Sequence, residues 1–210
     1  MSSSIKVISF NNLIQHQQKL SKCVRCPDMI PPVIIGNATS SAIMSVGQAP
    51  GVHEGKVQRP FGWTAGKTLF QWFESIGVSE AHYREHVYMA AVCRCFPGKN
   101  PKGGGDRVPN KEEIANCSYW LQQEYQLIQP KLLIPIGRLA MEQYLEFKLL
   151  TDIVGKQHAK PLLGDHLVDI IPLPHPSGLS TWYRKPPGKN LLDDALQLIK
   201  HHPTWHNTFQ

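Results

Sequence analysis

Two stretches of this chain carry side chains spaced for chemistry. In the first, Cys23-Val24-Arg25-Cys26-Pro27 sets two thiols either side of a turn. A C-x-x-C turn brings both sulfurs to one side, where as thiolates they can clasp one metal. A redox pair is the rival, although no thioredoxin-like βαβ pattern surrounds it, and an unliganded pair is the plain alternative. In the second, Gly47-Gln48-Ala49-Pro50-Gly51 forces a tight turn through two glycines and a proline. A polar loop with His53 and Glu54 follows, and then Arg59-Pro60-Phe61. Glu54 is the only acid in that loop. A further loop, KNPKGGGDRVPN at 99–110, is rich in Lys, Gly and Pro. It is suited to contacting phosphate, or simply to being solvated.

Such loops need a scaffold. Ala42, Ile43, Met44 and Val46 form a hydrophobic run that reads as a buried strand ahead of the Gly/Pro turn. The run TAGKTLFQWFESIG, starting near Thr64, reads as a helix with Leu69, Phe70, Trp72, Phe73 and Ile76 on its apolar face and Gly77 at its end. A strand, a turn and a helix put the loop at the carboxyl end of a strand, where open α/β sheets bind ligands; an ordinary βα turn has the same spacing. Further strands are expected at 87–95, 131–137 and 167–173. Asn110 with Glu113 makes a capping pattern, and the helix after it carries Ile114, Cys117, Leu121 and Ile128 on one face, so Cys117 points inward. Other helices are expected at 138–147 and from Asn190 to Pro203, with a short strand and then a helix within 5–20. Alternating strands and helices predict a single α/β domain over 1–210. Its architecture is a three-layer αβα sandwich around a mainly parallel four-stranded sheet.

Charge and composition narrow the function. A formal charge of +6 favours an anionic partner. The start, MSSSIKVISF, lacks the apolar core of a signal peptide, and no run approaches the ~18 apolar residues of a membrane span. Five cysteines without a secretion signal point to a reducing compartment, hence a cytoplasmic protein using its thiols for metal or thiol chemistry.

The loop at 45–66 resembles motif A of the uracil-DNA glycosylase superfamily, above all its iron–sulfur families 4 and 5. Gly47, Ala49, Pro50, Gly51, Glu54, Arg59, Pro60, Phe61, Ala65 and Gly66 fall at the spacing of family 4's GEAPGxxE, RPF and AG. His175-Pro176-Ser177-Gly178-Leu179-Ser180 resembles motif B, HPSPLS, and the segment starting Gly137-Arg138 resembles the GRxA segment. Cys23, Cys26, Cys95 and Cys117 resemble the cluster ligands; the resemblance runs from Cys23 to about His201.

That resemblance implies a DNA glycosylase, hydrolysing the N-glycosidic bond of uracil or a related deaminated base flipped out of DNA. It implies a monomer whose partner is DNA carrying such a base, nucleoid-associated while bound. Phe61 would stack on the base, His175 would donate to its O2 oxygen, and Leu179 would wedge into the duplex between phosphates held by Ser177 and Ser180. Gly47, Ala49, Pro50 and Gly51 would shape the pocket. The catalytic set would be His175, Glu54 and Gln48. Two departures stand out. Gln48 replaces a glutamate important to family 4. Ala91, in AAVCRC, replaces the Asn that reads uracil's edge and looks instead like family 5's AAVRC. Family 5 also lacks the motif A carboxylate and accepts a broader set of damaged bases, so the chain reads as a hybrid. Cys95-Phe96-Pro97 with Asn100 aligns with family 5's C-x-P-P-x-N, which makes Cys95 the ligand and Cys93 a spare thiol or an alternative ligand. Four thiolates suit a [4Fe–4S] cluster or zinc, and only the resemblance favours iron. The competing classes are a catalytically silent nucleic-acid-binding module, supported by Gln48, and a zinc-stabilised hydrolase.

Overall fold

The computed structural model describes residues 2–210. Five strands, β1 (Ile43–Gly47), β2 (Tyr88–Ala91), β3 (Leu132–Pro135), β4 (His158–Leu163) and β5 (His166–Ile170), form one sheet ordered β2-β1-β3-β5-β4. β1 pairs in parallel with both β2 and β3, and β3 with β5; only β4 runs antiparallel. Central β1 and β3 are buried at every position, which is why they read as unbroken apolar runs.

The sheet has five strands rather than the expected four. β4 turns back through Gly164, at φ 55°, to pair with β5. It lies at the sheet edge, keeps Ala159, Lys160 and Pro161 exposed, and carries a proline that only an edge strand tolerates. A strand of that kind leaves no apolar run in the sequence.

Eight α-helices flank the sheet: α1 (Ser2–Leu20), α2 (Glu54–Val57), α3 (Thr64–Ser75), α4 (Glu80–His86), α5 (Lys111–Ile128), α6 (Arg138–Glu142), α7 (Gly188–His201) and α8 (Pro203–Phe209). No helix among the described residues is long and apolar enough to cross a membrane. α1 is helical throughout, in place of the short strand expected within 5–20; Leu13, His16 and Leu20 recur at helical spacing on its buried side. α3 starts at Thr64 as its pattern predicts, and Gly77 follows it at φ 94°. α5 opens on the full capping box, Asn110 accepting from the Glu113 amide and Glu113 reaching back to Asn110. α7 starts at Gly188, ahead of Asn190, and packs so closely there that a Cβ on Gly188 would fall 2.1 Å from the Trp182 carbonyl oxygen. α7 ends at His201, just ahead of Pro203 as expected, but it is not the last helix, and Pro203 has a second part. It begins α8, where its missing N–H costs nothing, with His202 as the cap.

β2 ends at Ala91 rather than Cys95. The chain beyond it still pairs with the end of β1, through Val92 N to Gly47 O and Cys93 N to Gln48 O. It then bends so that Arg94 turns inward. Arg94 pairs with the fully buried carboxylate of Glu124, which also accepts from the Tyr88 hydroxyl at 2.7 Å. Likewise α6 stops at Glu142, short of 147, and Tyr144 turns in to bond the Tyr125 hydroxyl.

Candidate active site

Everything at the carboxyl end of β1 is built around the Phe61 ring. Phe61 adopts φ 50°, uncommon for a residue with a side chain, so its surroundings must hold it there. The Arg84 guanidinium does part of this, donating to the carbonyls of Pro60 at 2.8 Å and Phe61 at 3.0 Å. Glu54 does the rest: one oxygen accepts the Gly51 amide at 2.5 Å and the other the Gly62 amide at 3.2 Å. Burial pushes the Glu54 carboxyl above its ordinary range, against the pull of those amides and of Arg84. So held, Phe61 lays its ring over the end of β1; a Cβ on Gly47 would meet it at 3.1 Å.

Gly66, the first buried residue of α3, is the point where this loop packs tightest. A Cβ there would lie 1.8 Å from the Phe61 carbonyl oxygen. Gly66→Ala is therefore expected to displace Phe61 and lower stability by about 1–3 kcal/mol, measurable by urea denaturation.

The opposite wall comes from the chain after β5. Leu173 bridges to Ile136 and carries the sheet on to His175. The imidazole packs on Gly137, at φ 88°, where a Cβ would sit 2.9 Å from its Cδ2. Burial holds His175 below the usual histidine range, so the ring is neutral at pH 7. Its Nδ1 accepts the Ser177 amide at 3.2 Å. A neutral ring that accepts at Nδ1 carries its proton on Nε2, and Nε2–H is then its donor. Beyond it Leu179 stands 70 % exposed.

These walls enclose an open cleft of about 660 Å³, inside the range of small-molecule sites. Gly47, Gln48, Ala49, Pro50, Gly51, Glu54, Phe61, Ala91, His175, Ser177 and Leu179 all line it. Among the other residues that line it are Trp63, which the sequence reading did not single out, and Lys99 and Asp106, which it included only as part of the 99–110 loop. Trp63 stacks on His53 at 4.4 Å. Lys99 and Asp106 flank the glycine run, in which Gly103, Gly104 and Gly105 all adopt positive φ. That run is turn chemistry which folds the loop back over the cleft, and three consecutive glycines were the available signal.

The cysteines lie away from this cleft. Cys26 and Cys95 are half-buried, and their thiols are pushed up to about 11 and about 12 by burial and then by their neighbours. Cys95 feels Cys117, Cys23 and Cys26; Cys26 feels Cys117 and Cys23. Cys93 is fully buried and shares a hydrogen bond with Cys117, which lowers the Cys117 thiol and raises its own. The Trp120 indole N–H donates to Cys23 Sγ at 3.2 Å. Among the described residues, no three His, Cys, Asp or Glu side chains are gathered tightly enough to hold one ion.

A parallel α/β sheet with a glycine-proline turn, an aromatic floor and a histidine wall at one strand end defines a small family of possibilities, and sequence comparison selects among them. The chain belongs to the uracil DNA glycosylase superfamily, whose profile it matches over residues 34–200. It is 30% identical over 167 residues to a type-4 uracil-DNA glycosylase of Thermotoga maritima, covering 77% of this chain and 80% of that one. A type-4 enzyme of Saccharolobus solfataricus is 27% identical over 199 residues, 90% of this chain and 86% of its own. A type-5 uracil-DNA glycosylase of Pyrobaculum aerophilum is 27% identical over 158 residues, 61% and 67% of the two chains.

Proposed function

We propose that this protein is a DNA glycosylase that flips uracil, or a related deaminated base, out of DNA and hydrolyses its N-glycosidic bond. The observation that carries the reading is one cleft lined by Phe61, from the loop after β1, and by His175 and Leu179, from the chain after β5. Flipping costs a few kcal/mol of lost stacking and pairing. Stacking on Phe61 returns about 1–3 kcal/mol. As the bond breaks, negative charge grows on the base and oxocarbenium character on the sugar. The Nε2–H of His175 meets that charge at O2, a pre-placed donor worth about 3–4 kcal/mol. Ala49, Pro50 and Gly51 bring backbone close to the base. Ser177 holds a flanking phosphate through its amide or hydroxyl. Glu54 acts through the loop it ties down, and Gln48 offers a neutral amide at the strand end. Ala91 leaves a short wall where a longer amide would grip one base edge, which suits a wider set of bases.

Cys23, Cys26, Cys95 and Cys117 are the ligands of a [4Fe–4S] cluster in this reading, with zinc as the alternative. The donor set fits. Four cysteine sulfurs are the donors such a group takes, and Cys117 and Cys23 each act electrostatically on both Cys26 and Cys95, so the four lie within reach of one another although, among the described residues, no three converge on a single ion's position. When bound, the group cross-links the 23–26 turn, the bend after β2 and α5. Cys93, buried deepest, stays a thiol.

Oligonucleotides carrying uracil, hypoxanthine or ethenocytosine, treated with protein and then alkali, test the function. Strand cleavage at uracil is expected. Binding without cleavage at any of the three makes the protein a silent nucleic-acid-binding module. Leu179→Ala should slow excision about tenfold from duplex, with a smaller defect on single strands, where no stack needs opening. Equal defects on both substrates would remove Leu179 from the wedge role.

A further inference from the structure

The end of β1 presents no free carboxylate. Gln48 is neutral, and both oxygens of Glu54 already accept backbone amides, from Gly51 and Gly62. Yet a carboxylate does reach this cleft, from the glycine-rich loop. Asp106 pairs with Lys99 as an antiparallel bridge, with Asn100 N bonded to Gly105 O at 3.0 Å and Arg107 N to Gly98 O at 3.0 Å. The resulting hairpin folds toward the motif A turn. Asp106 Oδ1 accepts from Lys99 Nζ at 2.7 Å. Its Oδ2 lies 3.2 Å from the point a Cβ on Gly51 would occupy. Gly51 therefore leaves room for this carboxylate beside the turn. The same loop touches the wedge: a Cβ on Gly105 would lie 2.8 Å from Leu179 Cδ1. One hairpin thus spans the cleft from the wedge to the strand end. The Asp106 side chain stays 32 % exposed, so water can reach it.

We propose that Asp106 is the carboxylate that receives a proton from the attacking water, a part no residue of the motif A turn can play. This rests on the glycosylase reading above. The water oxygen bonds to C1′ as the N1–C1′ bond breaks. The electron pair of that bond leaves with the base, towards the oxygen faced by His175. One water proton passes to Asp106 Oδ2 and from there to the departing base or to bulk water. Lys99 bonds Oδ1, and Oδ2 lies on the side of the Gly51 turn, where the hairpin backbone places it. A surface ion pair with no other duty would be worth about 0–1 kcal/mol and would not need a hairpin of three glycines to deliver it.

The test is single-turnover excision from a uracil-containing duplex. Asp106→Asn keeps the shape and should slow excision about 10²-fold with unchanged affinity for the same duplex. Asp106→Ala should be equally slow and should regain rate as formate is added, since formate restores a carboxylate. Lys99→Met keeps the Asp106 carboxylate and should cost only about threefold, as an exposed ion pair would. The proposal is overturned if Asp106→Asn runs within about threefold of wild type. It also fails if formate does nothing, or if Lys99→Met is as slow as Asp106→Asn, because the carboxylate would then only anchor the hairpin. Wild-type protein inactive on uracil would overturn the glycosylase reading, and this proposal with it; an active wild type with an active Asn variant overturns the proposal alone.

Discussion

His175→Ala slows base excision about 10²–10³-fold and leaves affinity for uracil-containing DNA nearly unchanged. The reason is when the contact matters. A neutral N–H meets a neutral carbonyl in the bound state but a growing oxyanion in the transition state, so its loss falls on the chemical step. The structure adds a pH dependence with a definite sign. Burial holds His175 below the ordinary histidine range, so the neutral ring persists as pH falls through that range. Acid strong enough to protonate it places a proton on Nδ1 and opposes the Ser177 amide bond. The share of the rate owed to His175 should therefore be level from neutral pH down past about 6.5 and decline only in stronger acid. Single-turnover rates and a binding isotherm, each measured across pH, check both parts. A His175→Ala variant that loses affinity and rate in parallel would make the ring a binding contact only.

Cys117→Ala has the other large effect. Cys117 lies on the buried face of α5, and its electrostatic reach includes Cys26, Cys95 and the deep Cys93. If the four thiolates hold iron, the wild type is brown, with broad absorbance near ~400 nm. The variant should lose that colour and most of its soluble yield, because metal binding and folding are coupled. Cys93→Ala should keep the colour. Colourless wild-type protein with stoichiometric zinc would replace iron by zinc; loss of metal from Cys93→Ala alone would put Cys93 in place of Cys95.

How much of this was legible beforehand differs by element. The motif A turn, Phe61, His175 and Leu179 were readable because each sits in a short local pattern, and patterns survive in sequence. Those residues line one cleft, as such patterns require. β4 was not readable: an exposed edge strand with Pro161 buries too little to leave an apolar signature. The early end of β2 depends on Arg94 finding Glu124, a partner thirty residues away that no local window contains. Asp106 was hidden for the same reason. A loop of glycine, lysine and proline looks solvated until the hairpin between Lys99 and Asp106 fixes where it points. Glu54 was recognisable as the loop's only acid, but its engagement with the amides of Gly51 and Gly62 needed the fold.

The central claim is that this cleft breaks an N-glycosidic bond. The direct measurement is free base. Wild-type protein, in excess over a duplex with one labelled uracil, is mixed with it and the released base is separated by chromatography. The account predicts one free uracil per duplex, an abasic strand that stays intact until alkali is added, and release slowed about 10²–10³-fold in His175→Ala. Duplex that is bound while no free base appears from uracil, hypoxanthine or ethenocytosine would contradict it.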